Sequence, residues 1–208
     1  MRKALLAIAV LALAVWCTLP VMADVCGSVS GNLVSNCGFE TGDFTGWTIG
    51  GNTFNPGGNY YGVDAFDANS GNFGAYMSED AIDGGTDPVT LTQTLNLAGG
   101  NYVVTFFLNQ DTIPDGTTVH SFDASFGSND LLSLNYDATT PGTSGWTEYS
   151  YTVSGSGSTD LTFSFRNDDN YWSFDDVSVS AVPTPEPSSL MLLGSALFGI
   201  AGLRRRRR

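Results

Sequence analysis

Residues 90–108 read TLTQTLNLAGGNYVVTFFL, and where the apolar side chains fall in them decides the fold. Leu91, Gln93, Leu95 and Leu97 alternate with Thr and Asn, the period-two pattern of a strand with one face buried. After AGG the run NYVVTFFL is rich in β-branched and aromatic residues, which suit a pleated, packed surface. The two runs read as a hairpin turning at Ala98, Gly99 and Gly100. Similar runs lie on both sides: LVSNCGFE, GWTIG, FGAYMS, HSFDASFG, LLSLNY, WTEYSYTV, LTFSFRN and SFDDVSVSA. No stretch between the two ends of the chain has a convincing 3.6-residue period. SGSGS, residues 154–158, resembles a linker in composition, but five residues between two strand-like runs suit a hairpin loop better. About ten short strands with turns between them predict an all-β protein, a jelly-roll β-sandwich, over residues 24–182.

The N-terminus is of another kind. Arg2 and Lys3 precede an apolar run from Ala4 to Trp16, and Val21-Met22-Ala23 presents small or modest residues for cleavage. Residues 1–23 therefore read as a secretory signal peptide, cut by signal peptidase before Asp24. Bulky Trp16 before Cys17 argues against a lipoprotein site. Between residues 24 and 182 there are 20 carboxylates and one basic residue, Arg166, a net charge of −19. That field has the wrong sign for nucleic acid or an anionic membrane surface. The two cysteines of this body, Cys26 and Cys37, are expected to pair in an exported chain.

NLVSNCGFETGDFTGWTIGG (residues 32–51), GGNYVVTFFL and the closing WSFDDVSVSA resemble the start, middle and end of a galactose-binding-like jelly roll, the architecture of many carbohydrate-binding modules. The resemblance implies a structural calcium ion on an early Glu and a late Asp, here Glu40 and Asp176, with Asp175 or backbone oxygens near Gly42 completing the shell. Chemistry agrees, because calcium takes about 6 to 8 oxygen ligands and the body offers no convincing Cys/His set. Strand alternation would place Asp175 and Asp176 on opposite faces.

Sugar binding needs exposed rings. Trp47 and Trp146 read as core residues, since large aromatics dominate sandwich interiors. Tyr60 and Tyr61 follow the Gly-rich NPGGN, and Tyr171 and Trp172 follow the polar RNDDN, so these four are the candidate stacking residues. No Gly-x-Ser-x-Gly elbow, HExxH, P-loop or dinucleotide fingerprint occurs. His120 is the single histidine and reads as an incidental strand residue. The body is therefore expected to be non-catalytic; the alternative is a carbohydrate-active enzyme or lectin working through loop carboxylates and aromatics.

The C-terminus reads VPTPEPSSLMLLGSALFGIAGLRRRRR. Its uncharged run from Leu190 to Leu203 gives about 21 Å of helix, short of the ~30 Å hydrocarbon core. Ser188 and Ser189 can extend it, and arginine stems snorkel. Arg204, Arg205, Arg206, Arg207 and Arg208 cannot enter a sandwich core but suit a cytoplasmic anchor, so residues 189–203 are expected to form a transmembrane helix. The order Pro185-Glu186-Pro187, apolar segment, arginine cluster resembles the PEP-CTERM sorting signal of Gram-negative bacteria, here residues 183–208. That resemblance implies recognition by an exosortase, cleavage near the triplet, and a mature protein at the cell surface or in an exopolysaccharide or biofilm matrix.

Overall fold

A computed structural model describes residues 23–51, 53, 61–78, 88–110, 120–136, 145–167 and 171–183. Among the described residues eight strands form: β1 (Thr48–Gly51), β2 (Tyr61–Asp64), β3 (Gly74–Met77), β4 (Val89–Gln110), β5 (His120–Phe126), β6 (Asn129–Tyr136), β7 (Thr147–Asn167) and β8 (Trp172–Ala181). All pairings are antiparallel, in the order β2-β3-β8-β4-β7-β5-β6, with β1 also on β4.

Two strands are far longer than the sequence suggests. β4 has 22 residues and β7 has 21, and they pair from Val89↔Phe165 to Leu108↔Thr147. Both expected turns, AGG and SGSGS, lie inside this ladder rather than at hairpin ends. The reason is their alignment: Leu97 sits opposite Gly157 and Gly100 opposite Gly155, with a register shift between them. Gly99, Gly100 and Gly157 take φ of 94°, 128° and 68°, which glycine adopts without steric cost. Facing glycines and a bulge bend both strands together while pairing continues.

The bend folds the sheet over itself. β1, the first half of β4, the second half of β7, β5 and β6 make one layer; β2, β3, β8, the second half of β4 and the first half of β7 make the other. Phe122, Phe163 and Phe165 of the first layer meet Phe106, Trp172 and Phe174 of the second. Ring centroids lie 4.6 Å apart for Phe163–Phe174 and 5.1 Å for Phe106–Phe163, inside the favourable range for aromatic pairs. The body is the expected jelly-roll sandwich.

The N-terminal arm crosses β8. Leu33 N–H donates to Val179 O, Val177 N–H donates to Cys37 O, and the Cys26–Cys37 disulfide spans Cα atoms 6.0 Å apart. Phe39 is fully buried against Phe44, Trp47 and Phe174, and Trp47 belongs to the core as expected. Among the described residues no helix is long and apolar enough to cross a membrane; the expected helix at 189–203, the signal peptide and the arginine cluster lie outside them.

Candidate functional site

The strand that closes the fold also organises its polar centre. Asp175 and Asp176 do not alternate simply: β8 shifts register against β4 between Thr105 and Phe107, and Asp176 adopts φ 54°. This bulge buries both residues, 0% and 2% exposed, instead of sending one to each face. Both carboxylates reach the segment after β2. Asp175 accepts the N–H groups of Asn69 (2.8 Å), Ser70 (3.1 Å) and Asp176 (2.8 Å). Asp176 accepts from Ser70 Oγ (2.8 Å), Asn69 Nδ2 (2.7 Å) and Cys26 N–H (3.1 Å). Glu40 takes the far side of the same loop, accepting the N–H groups of Asn72 (2.7 Å) and Phe73 (3.0 Å) and Asn72 Nδ2 (2.9 Å). The loop leaves no space for a side chain at Gly71, where a Cβ would run into the Glu40 carboxylate.

This arrangement concentrates negative charge. Burial, and then the charge of Asp176, push Asp175 up to about 8 against the pull of its three N–H donors. Asp24, to which no motif in the sequence points, is raised chiefly by burial, with Asp176 and Glu40 adding to it. The oxygen-only donor set and the crowding of like charges fit calcium chemistry. Glu40 and Asp176 grip the loop from opposite sides and Asp24 lies beside Asp176, but among the described residues these three carboxylates do not bring their oxygens within 4.8 Å of one another. The trio Asp24, Cys26 and Cys37 brings its ligand atoms within 4.8 Å of one another, but the bridged sulfurs are not metal ligands.

Beside the loop lies the outer face of the second layer. Register places Gly62, Tyr76, Ser173 and Asn109 in one row across β2, β3, β8 and β4. Tyr171 meets Tyr76 edge-on, centroids 5.1 Å apart at 80°. Gly62 is needed where it stands, because a Cβ there would run into the Tyr76 phenol. On β4, Phe106 points inward and Phe107 outward, half-buried. Trp146 precedes β7 and is half-buried, next to Gly145, whose N–H donates to Asn109 Oδ1 at 2.9 Å. Asp67 closes one side, accepting from Ser173 Oγ at 2.5 Å. Phe66, 96% exposed, is presented by a turn in which Asp64 Oδ1 accepts the N–H groups of Phe66 (2.8 Å) and Asp67 (3.2 Å). Burial and then Asp64 raise the Tyr76 phenol above its usual range. On the opposite layer a groove of about 450 Å³ runs along β5 and β6, lined by Asp123, Ser133 and Ser164 with Leu131 and Leu132 beside them.

Of the four expected stacking residues, Tyr171 stands on the outer face. Tyr61 is half-buried against Phe44, 6.1 Å between centroids, and Tyr60 lies outside the described residues. Trp172 cannot serve: it is 1% exposed, packs on Phe122 and Tyr136, and donates Nε1–H to Arg166 O at 2.9 Å. Tyr76 and Phe107 join the face without having been expected there. Alternation within FGAYMS and the doublet at 106–107 carried the signal for both, because one member of each neighbouring pair must face out.

The chain leaves the sandwich at Val182, whose N–H donates to Asn101 O at 2.8 Å, and the segment beyond it is of a different kind. Residues 183–207 carry the PEP-CTERM protein-sorting motif. A PEP-CTERM motif marks an exported protein that an exosortase processes at the cell surface. No curated protein matches the chain that bears this PEP-CTERM motif. Its body is similar to TmCBM61, a carbohydrate-binding module solved with beta-1,4-galactotriose: 21% identity, TM-score 0.52, 74% of this chain and 100% of that one. It also resembles the K1 cleaved adhesin domain of Lys-gingipain from Porphyromonas gingivalis W83, with 15% identity, TM-score 0.50, and 70% and 96% coverage. The enzymatically active domain of tailspike protein 4 from bacteriophage CBA120 is a third neighbour, at 13% identity and TM-score 0.50, covering 73% of this chain and 21% of that one. At these identities the likeness establishes the fold.

Proposed function

We propose that the body is a non-catalytic polysaccharide-binding module, delivered to the surface of a Gram-negative cell by its sorting motif and retained in an exopolysaccharide or biofilm matrix. The observation that carries this reading is the outer face of β3, β8 and β4, where the half-buried Tyr76, Tyr171 and Phe107 turn aromatic surface outward beside Asn109 and Asp67. Apolar ring faces with a few fixed polar groups are what a sugar chain requires. Calcium, in this reading, is bound at Glu40 and Asp176, with Asp175 or backbone oxygens near Gly42, and stiffens the loop at residues 69–73. Mobility-shift electrophoresis of residues 24–182 through gels containing different polysaccharides tests the binding. One neutral or cationic polysaccharide should retard the protein, and Tyr76→Ala and Tyr171→Ala should each weaken retardation by about ten-fold while leaving the melting temperature nearly unchanged. Retardation that survives both substitutions places the ligand elsewhere, and the β5–β6 groove is then the site to mutate. The enzyme alternative rests on Asp123 and Asp130 in that groove; hydrolysis of a retarding polysaccharide, abolished by Asp123→Asn, would establish it. Calcium binding should raise the melting temperature at neutral pH relative to chelator, and Asp176→Asn should remove the increase.

A further inference from the structure

The end of the sandwich formed by the glycine bend differs from the rest of the body in charge. Ala98, Asn101, Ser154, Ser156 and Ser158 are exposed there beside the bend glycines, and no charged residue occurs in 98–101 or 154–158. Among the described residues, the carboxylate adjoining these segments in sequence is Asp160, which accepts from Thr94 Oγ1 at 2.6 Å. The chain also departs from this end. β8 finishes at Ala181, and Val182 is still bonded to Asn101, whose partner on β7 is Ser154. Only Pro183 and Thr184 separate Val182 from the Pro185-Glu186-Pro187 triplet, a reach of about 10 Å even fully extended. An enzyme that grips the triplet therefore cannot avoid the folded body: there is no linker to hold the two apart.

We infer that this uncharged end, built from the two glycine-rich bends, is the surface that docks against the membrane-embedded processing enzyme while the triplet occupies its active site. The inference rests on the exosortase reading of the PEP-CTERM motif. Small, neutral side chains allow close approach at low desolvation cost, whereas a carboxylate forced against the enzyme without a partner would be expensive. The −19 charge of the body is thus kept off the one surface that must come close.

The test is pulse-chase processing of the full chain in its host. Ser154→Glu with Ser156→Glu should slow conversion of precursor to mature form by at least about ten-fold. Inserting a flexible Gly/Ser segment of about ten residues after Val182 should restore it. Ser154→Lys with Ser156→Lys should slow processing similarly. Wild-type conversion of the Glu variant overturns the proposal. So does a defect that the inserted segment fails to relieve, and so does a defect confined to Glu, which would point to repulsion by anionic lipid. Alanine at Pro185, Glu186 and Pro187 separates the two claims: if that variant is processed normally, the exosortase reading has failed, and if it alone is blocked, only the docking surface has.

Discussion

The Phe cluster between the layers is buried and the loop after β2 is only partly so, and different forces hold them. Phe163 and Phe174 gain from leaving water and from ring geometry, and nothing in that contact titrates. The loop at residues 69–73 is held by Asp175, Asp176 and Glu40 through N–H and O–H donors, and burial makes the Asp175 carboxyl costly to ionise. One region should thus report packing and the other protonation, and substitutions can separate them.

The largest effect is expected in the cluster. Phe163→Ala should cost about 3 to 5 kcal/mol, read as a lower urea midpoint with little pH dependence in the difference. If the loss is below about 1 kcal/mol, the layers are not joined mainly by these rings. Next comes the arm: Cys26→Ser with Cys37→Ser should cost about 2 to 3 kcal/mol, and reduction of the wild type should reproduce it. The smallest change at pH 5 belongs to Asp175→Asn, on the order of 1 kcal/mol, but its pH profile is diagnostic. A carboxyl whose pKa is raised on folding is protonated in the native state while the unfolded chain ionises. Stability from this group is present below the ordinary carboxylate range and declines as pH rises from there toward about 8. Asp175→Asn should flatten that decline in chelator-treated protein. An unchanged slope would mean that Asp175 is ionised in the folded state.

The two regions were not equally legible in the sequence. Alternation through Leu91, Leu95 and Leu97, and again through Tyr102, Val104 and Phe106, specifies which faces pack, because the period of a strand is local. What AGG and SGSGS do is not local. Each is a sound turn signal alone, and only the pairing of Gly100 with Gly155, far apart in sequence, makes them a bend. The expected calcium ligands Glu40, Asp175 and Asp176 are named through resemblance, and the structure brings all three onto one loop. The positive φ of Asp176 removes the alternation expected of the pair. Trp172 misleads for a related reason: it comes after a polar loop, but it is the first inward residue of β8. Asp24 gives no signal, since its place beside Asp176 depends on how the arm is threaded.

β8 adds a matter of timing. It lies between β3 and β4 in the middle of its layer, so that layer stays in two pieces until the last strand arrives. Those final ten residues run directly into the PEP-CTERM motif at 183–207. A chain exported from its N-terminus delivers β8 only as the motif reaches the membrane. Completion of the sandwich and presentation of the sorting motif are then nearly one event, and a body that has not taken in β8 has no finished end to offer the enzyme.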